Sequence, residues 1–316
     1  MLYLKGNVKT PLLSAIGGRV KYTNSHEFIL GQEWTNEEYS SVNDIAVAET
    51  ASLTAPDATA VGTTQKTNCI TAFQETIAIS DMKRSNSGAL AGANLANQVA
   101  NPANYLDLQV ANKMNKIARG IENLFINGTK NIPADDTEKW QTGGLVKSIT
   151  TNTLALSGKP LDIFAVNDIL TSMGNNGADL TDLTLLVDGV TLNQINASAI
   201  EFGVEMGQVY GTSFGINVRD LVLPQGTIHL MRGEFLPAGT ALVINLNYIS
   251  PVEQPIPGKG NFYLEELARV GAGEKYQIFG QIGLDYGAEF LHGKITGIAT
   301  TFTKPLGKKV VTVASV

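Results

Sequence analysis

The pentapeptide Gly211-Thr212-Ser213-Phe214-Gly215 matches the G-x-S-x-G spacing that lifts a nucleophilic serine out of a sharp turn. That turn needs a strand before the serine and a helix after it. Here a helical pattern precedes it and a β-patterned run, INVRDLVL, follows, so the context is reversed. A hydrolase acting through Ser213 is therefore a remote alternative, resting on five residues in a chain with 32 glycines. His26, His229 and His292 have no spacing that suggests joint metal ligation. Asp135-Asp136 and Glu265-Glu266 are adjacent pairs, which cannot face each other across a cleft as acid and base. Gly293-Lys294 runs into Ile295 without the upstream glycine of a phosphate loop. Gly258-Lys259-Gly260 lacks a third glycine and a leading strand. Asn127-Gly128-Thr129 and Asn196-Ala197-Ser198 are formal sequons with no secretory signal to give them meaning. No nucleophile, base and orienting group assemble. The expectation is a protein without catalytic residues, cofactor or metal.

Composition points the same way. Charged residues are 16% of the 316, well below the usual ~25%, with small polar residues in their place. Such a surface suits contact between proteins better than solvation of a lone chain. Cys69 is the single cysteine, so no intramolecular disulfide can form. No apolar run approaches the ~18 residues of a spanning helix. MLYLKGNVKTPLLSAIGGRV has no basic-then-apolar leader pattern, so the expected setting is a reducing cytoplasm, with no membrane partner. The net charge is −6 and unevenly spread. Residues 1–26 carry Lys5, Lys9, Arg19 and Lys21 with no acid, and residues 290–316 carry Lys294, Lys304, Lys308 and Lys309 with no acid. Residues 27–65 hold Glu27, Glu33, Glu37, Glu38, Asp44, Glu49 and Asp57 with no Lys or Arg. A dedicated duplex binder would be basic throughout. Contact with nucleic acid is expected to be weak and non-specific.

The elements that must carry these groups follow from periodicity. Pro11, Gly17 and Gly18 break any long helical period, so residues 1–25 read as an extended arm anchored by Leu12, Leu13 and Ile16. HEFILGQEW reads as a strand. The run Cys69–Ile79 alternates, with Phe73, Ile77 and Ile79 on one face, and reads as a second strand. Between them lies a long acidic excursion, which makes a projecting hairpin. An isolated hairpin is marginal in water, so its partner is expected on another chain. Leu106, Val110, Met114, Ile117, Ile121 and Leu124 recur at helical steps. Asn101-Pro102 suits the start of that helix and Gly128 a C-cap at its end. Pro160 is expected to open a helix with Leu161, Phe164, Ile169 and Met173 inward. Thr191 and Gln194 suggest a capping box for another helix, with Leu192, Ile195, Ala199 and Phe202 inward. Strands INVRDLVL, TIHLMRG and ALVINLNYI follow, then a Pro-rich crossover, SPVEQPIPG. The final runs KYQIFGQIGLD and EFLHGKITGI are expected to pair with each other beneath the long helix. The fold class is α+β.

This order of elements, with TPLLSAIGGRV, ARGIENLFINGT and YLEELARVGAGEKYQIFGQIGLDY, resembles the major capsid proteins of tailed bacteriophages, of the Hong Kong 97 type. The resemblance implies an N-terminal arm (1–25), an E-loop with flanking strands (26–80), and a P-domain with a spine helix (81–145). It further implies an A-domain (146–246), then closing P-domain strands and a tail (247–316). It implies self-assembly into hexamers and pentamers of an icosahedral or prolate head around double-stranded DNA. The host bacterial cytoplasm would be the place of assembly and the virion the destination. Scaffold and portal are expected as separate proteins, with decoration proteins possible. Encapsulins, which enclose cargo proteins, share the fold and are the alternative. One variant of the family crosslinks a lysine to an asparagine; Lys66 lies near the hairpin, but nothing marks a partner asparagine. The E-loop of this family overlies a neighbouring subunit. That makes Glu33, Trp34, Glu37 and Glu38 the candidate donors of an inter-subunit contact. Lys113, Lys116 and Arg119 form an outward basic stripe to receive them, the alternative being a merely solvated face.

Overall fold

The computed structural model describes residues 9–34, 48–54, 63–82, 105–201, 206–207 and 219–301. The chain divides into two compact units, one from residues 16–148 and 248–289, the other from 149–247 with the described residues at the two chain ends. The supposed extended arm contains a short helix, α1 (Pro11–Ile16), with Leu12 and Ile16 fully buried. Proline belongs in a first helical turn, where its missing N–H costs nothing, so Pro11 opens this helix where the sequence reading took it as a breaker.

The first unit is built on a six-stranded sheet. Its strands are β1 (Lys21–Tyr22), β2 (Glu27–Trp34), β3 (Thr63–Ser80), β10 (Ser250–Glu253), β11 (Tyr263–Leu267) and β12 (Gly273–Asp285). They lie in the order β1-β10-β12-β3-β2, with β11 also on β12. The spine of the sheet is β3, an 18-residue strand. At about 3.3 Å per residue it is roughly 60 Å long. Its first part, Thr63–Cys69, pairs with β2, and Ile70–Ser80 pairs with β12. The alternation read from the sequence holds: Ile77 and Ile79 are buried, Phe73 is half-buried, and Ala72, Gln74, Thr76 and Ala78 face solvent. In β2 the register slips between Ile29 and Gly31, leaving Leu30 as a bulge. The crossover read as loop contains β10, where Pro251 pairs opposite Leu284.

Among the described residues this unit also carries α2 (Tyr105–Asn127) and α3 (Leu145–Ser148). The 23 residues of α2 span roughly 34 Å. Its C-terminal half is in the core through Ile117, Ile121, Phe125 and Ile126. Leu106, Val110, Met114 and Leu124 are only half-buried. The expected start at Asn101-Pro102 lies outside the described residues. Gly128 does not act as a left-handed cap. A Cβ there would come within 2.5 Å of the Leu124 and Thr142 carbonyl oxygens, and one on Gly144 within 2.6 Å of Gly128 N and Leu124 O. Glycine is required at both because two backbone segments cross in contact, joined by Gly144 N–H to Gly128 O at 2.9 Å.

The second unit carries a seven-stranded sheet. Its strands are β4 (Thr153–Ala155), β5 (Leu183–Val187), β6 (Met206–Gly207), β7 (Arg219–Leu223), β8 (Gly226–Arg232), β9 (Ala241–Asn245) and β13 (Gly293–Thr296). The order is β4-β13-β9-β5-β8-β7-β6. The run EFLHGKITGI therefore does not pair with β12: β13 sits between β4 and β9. Every residue of β5 and β9 is buried, as expected of central strands covered on both faces. Against the sheet lie α4 (Ile163–Asn175) and α5 (Gly189–Glu201). The N-cap of α4 is Asp162, whose carboxylate accepts from Ala165 N, and not a turn opened by Pro160. Its buried face is Ile163, Ala165, Val166, Ile169, Leu170 and Met173, while Phe164 points out at 58% exposure. Thr191 and Gln194 make no capping box. Asp188 accepts from Thr191 N at 2.7 Å, so Asp188 is the cap. Buried Gln194 instead accepts from Leu161 N and donates to Ala299 O. Phe202 lies outside the described residues, as does the side chain of Ala199.

Candidate functional site

The residues singled out for contact are not brought together within one chain: those on β2 and those on the adjoining helix meet β3 at positions eleven or more residues apart. Glu33 and Trp34 lie at the end of β2, opposite Thr64 and Thr63. Glu37 and Glu38 lie outside the described residues, as does Gly211–Gly215 with Ser213. The next described element after that pentapeptide is strand β7, not the helix a nucleophile elbow needs.

Lys113 and Lys116, one helical turn apart on α2, are not a free stripe. Both grip one carboxylate, Glu75 of β3: Lys113 Nζ stands 2.7 Å from Oε2, and Lys116 Nζ is in contact with Oε1. Hydrogen bonds from the two ammonium groups, Lys113 first, hold Glu75 below the ordinary carboxylate range despite its partial burial. The physical reason for the correction is the alternation of β3. It turns Glu75 to the same face as Phe73 and Ile77, toward the helix, where a half-buried carboxylate is stabilised by cations. Arg119 is half-buried, and its Nε has no hydrogen-bond partner among the described residues.

Below this latch the hairpin root is stitched by uncharged groups. Asn68 is fully buried and uses its whole side-chain capacity. Its Nδ2 donates to Gly143 O and Leu284 O, at 3.1 and 2.7 Å. Its Oδ1 accepts from Gly143 N and Cys69 N, at 2.7 and 3.0 Å. Thr142 N donates to Thr71 Oγ1, and Leu284 N donates to Thr142 Oγ1. One asparagine and two threonines thus tie β3, β12 and the loop after α2 together. At the outer margin Lys130 Nζ donates to Thr67 O and Oγ1 at 2.7 Å, and Thr67 Oγ1 donates to Glu27. The Thr67 hydroxyl, then Lys130, lower the Glu27 carboxyl. The Cys69 thiol donates to Gln141 O at 3.0 Å, and burial pushes it up, away from the reactive thiolate. The arrangement fixes an angle between strand and helix; it holds no activated nucleophile.

Asn68 had no signal in the sequence, because nothing local distinguishes a buried asparagine from an exposed one. Glu75 could have been found as the one acid in the alternating run. Of the histidines, His26 stacks edge-on against Trp140 at 5.2 Å and His292 Nδ1 accepts from Asn245 N. His229 lies between two aspartates. Among the described residues no group of three or more His, Cys, Asp or Glu gathers as a metal site, and no helix is long and apolar enough to cross a membrane.

The architecture belongs to a class of shell-building proteins. The capsid asymmetric unit of cyanophage A-1(L) superposes with a TM-score of 0.65 over 94% of this chain and 95% of its own, at 11% identity. The SrpI encapsulin complex of Synechococcus elongatus PCC 7942 gives 0.65 over 97% and 93%, at 10% identity. Mycobacterium phage Che8 gives 0.51 over 93% and 94%, at 11% identity. At such identities the likeness establishes the fold, the Hong Kong 97 type. The model of the SU10 major capsid protein family matches residues 1–299, and the chain belongs to that family. It is a capsid shell protein, and its place is the virion. No curated protein matches its sequence.

Proposed function

We propose that copies of this chain assemble, as hexamers and pentamers, into the icosahedral or prolate head of a tailed phage around double-stranded DNA, without enzymatic activity of their own. The family match across residues 1–299 carries this reading. Two features support it. The hairpin beyond Cys69 is a two-stranded ribbon among the described residues, and the N-terminal half of α2 leaves Leu106, Val110 and Met114 half-buried. Both suit completion by neighbouring copies, and closed symmetry uses one such contact many times. We assign residues 1–25 to the arm, 26–80 to the E-loop, 81–145 with 247–289 to the P-domain and 146–246 to the A-domain. Residues 290–301 join the A-domain because β13 pairs there. Scaffold and portal are separate proteins in this reading. DNA contact is weak, since four positive charges at each chain end give a shallow salt dependence, roughly −0.9 per contact in log–log slope. Negative-stain microscopy of the chain co-expressed with scaffold and portal should show closed shells. Sedimentation only as monomer or dimer under those conditions would overturn the reading.

The inter-subunit contact of Glu33, Trp34, Glu37 and Glu38 with Lys113, Lys116 and Arg119 of a neighbour now competes with the Glu75 latch within one chain. Lys113→Glu with Lys116→Glu should impair assembly under either arrangement. Rescue by Glu37→Lys with Glu38→Lys marks the contact between copies; rescue by Glu75→Lys marks the latch. The encapsulin reading is kept because that neighbour superposes as well as the cyanophage capsid. Nuclease-resistant DNA inside purified particles decides for the phage head, and a packaged protein for the compartment.

A further inference from the structure

We propose that Asp182, His229 and Asp220 form a proton-dependent latch, which holds the turn ahead of β5 to strands β8 and β7 while the imidazole is cationic and releases that turn when the ring loses its proton. All three residues lie in the unit of the seven-stranded sheet. His229 stands on β8, directly opposite Asp220 of β7 in the antiparallel ladder. Its Nδ1 is 2.5 Å from Asp220 Oδ1, and its Nε2 is 3.1 Å from Asp182 Oδ1. Both ring nitrogens thus face carboxylate oxygens. A carboxylate offers only acceptors, so both contacts are hydrogen bonds only when both nitrogens carry hydrogen, which is the imidazolium. A neutral ring has one N–H, and its other nitrogen then turns a lone pair toward an oxygen.

Among the described residues no cation other than the ring stands against either carboxylate. The charged groups there that face the ring are Asp220 from β7 and Asp182 from the turn. From β5 the register partner is Thr184, which is neutral. Asp182 has one further partner, Asn247 Nδ2 at 3.4 Å, also neutral. The site carries one net negative charge with the ring protonated and two without. The ring is about one-third exposed, 33%, so the proton leaves directly to solvent. The side that yields follows from geometry. The Asp220 contact is the shorter and lies within a ladder of five residue pairs, so the neutral ring keeps hydrogen on Nδ1 and loses Asp182. Asp182 has φ +56, a left-handed conformation uncommon for residues other than glycine. Once its imidazolium contact is gone, that turn has less to hold it.

The test is hydrogen exchange with mass spectrometry on the full chain, corrected for the intrinsic pH dependence of exchange. It follows exchange at a series of pH values from about 5.5 upward to about 9. The expected result is a several-fold faster exchange of residues 179–184 at the upper end of the series, with α4 unchanged. His229→Gln should abolish the pH step. Asp182→Asn, which keeps a similar shape, should abolish it too and guards against a folding failure of the first variant. Nitrogen-15 spectra of labelled histidine should show both ring nitrogens of His229 protonated at the lower end. A pH step that survives His229→Gln, or a ring with one protonated nitrogen at the lower end, overturns the latch.

Discussion

The two units solve the problem of holding a sheet by different means. Around β5 and β9 the solution is apolar: Leu183, Leu185, Val187, Val243, Ile169 and Met173 belong to one continuous cluster on one face of the sheet, and Leu186, Leu242 and Ile244 are buried on the other. Around β3 apolar residues such as Ile70, Ile77, Ile121 and Phe125 are also buried, and polar groups join the elements besides: Asn68, Thr71, Thr142, and Glu75 with its two lysines. An apolar cluster is non-directional and tolerates small shifts. A stitched root is directional and fixes one angle between strand and helix. A unit that must only be stable can rely on the first. A unit that presents a hairpin and a half-open helix gains from the second, because the angle at its root sets where the roughly 20 Å of paired strand beyond Asn68 points.

Substitutions can break this contrast, beginning with the largest effect. Leu185→Ala, at a fully buried position in β5, should cost about 3–4 kcal/mol and speed exchange throughout the seven-stranded sheet. If it instead loosens the β3 root equally, the two units are one cooperative body. Gly144→Ala should cost about 3 kcal/mol, because the new methyl meets backbone and not a movable side chain. Denaturant titration reads the loss, and a wild-type midpoint would mean the 128–144 crossing can open freely. Asn68→Ala should cost about 2 kcal/mol by stranding buried backbone groups of Gly143 and Leu284. A loss below about 0.5 kcal/mol would deny the polar root its role.

The smaller effects sharpen the picture. Glu75→Gln should cost less than about 1 kcal/mol near neutral pH, since a partly exposed ion pair is weak. Its signature is in the pH dependence. The folded carboxyl is held below its ordinary value, about 4.3, so its stabilisation is complete above that value and lost as pH falls through the folded one. Melting curves of wild type and Glu75→Gln should therefore converge in acid; parallel curves would exclude the latch. Phe164→Ser, on the exposed side of α4, should change stability by no more than about 0.5 kcal/mol. A larger loss would put Phe164 back in the core, where the sequence reading had it.

That misplacement shows where sequence reasoning fails. The steps from Leu106 to Leu124 announce a helix, yet the deepest residues are Phe125 and Ile126, and the first half of the stripe is only half-covered. Thr191 and Gln194 have capping-box spacing, yet Asp188 caps the helix and Gln194 bonds residues 33 and 105 positions away. In the candidate site the lysines are visible as a stripe and Glu75 as the one acid of an alternating run, but their meeting is not.

What the sequence determined by itself is what neighbouring residues encode: the alternation of β3 and β12, the helical period of α2, and the order of elements that carries the family resemblance. What the tertiary structure decided is every pairing between distant residues. It placed β13 beside β4 and β9 and not beside β12, aimed Glu75 at Lys113 and Lys116, and set Asn68 among Gly143 and Leu284. Periodicity comes from the local geometry of the backbone and can be read from a window of a dozen residues. Pairing depends on which distant surfaces bury the most apolar area with every polar group satisfied, and no such window contains both partners.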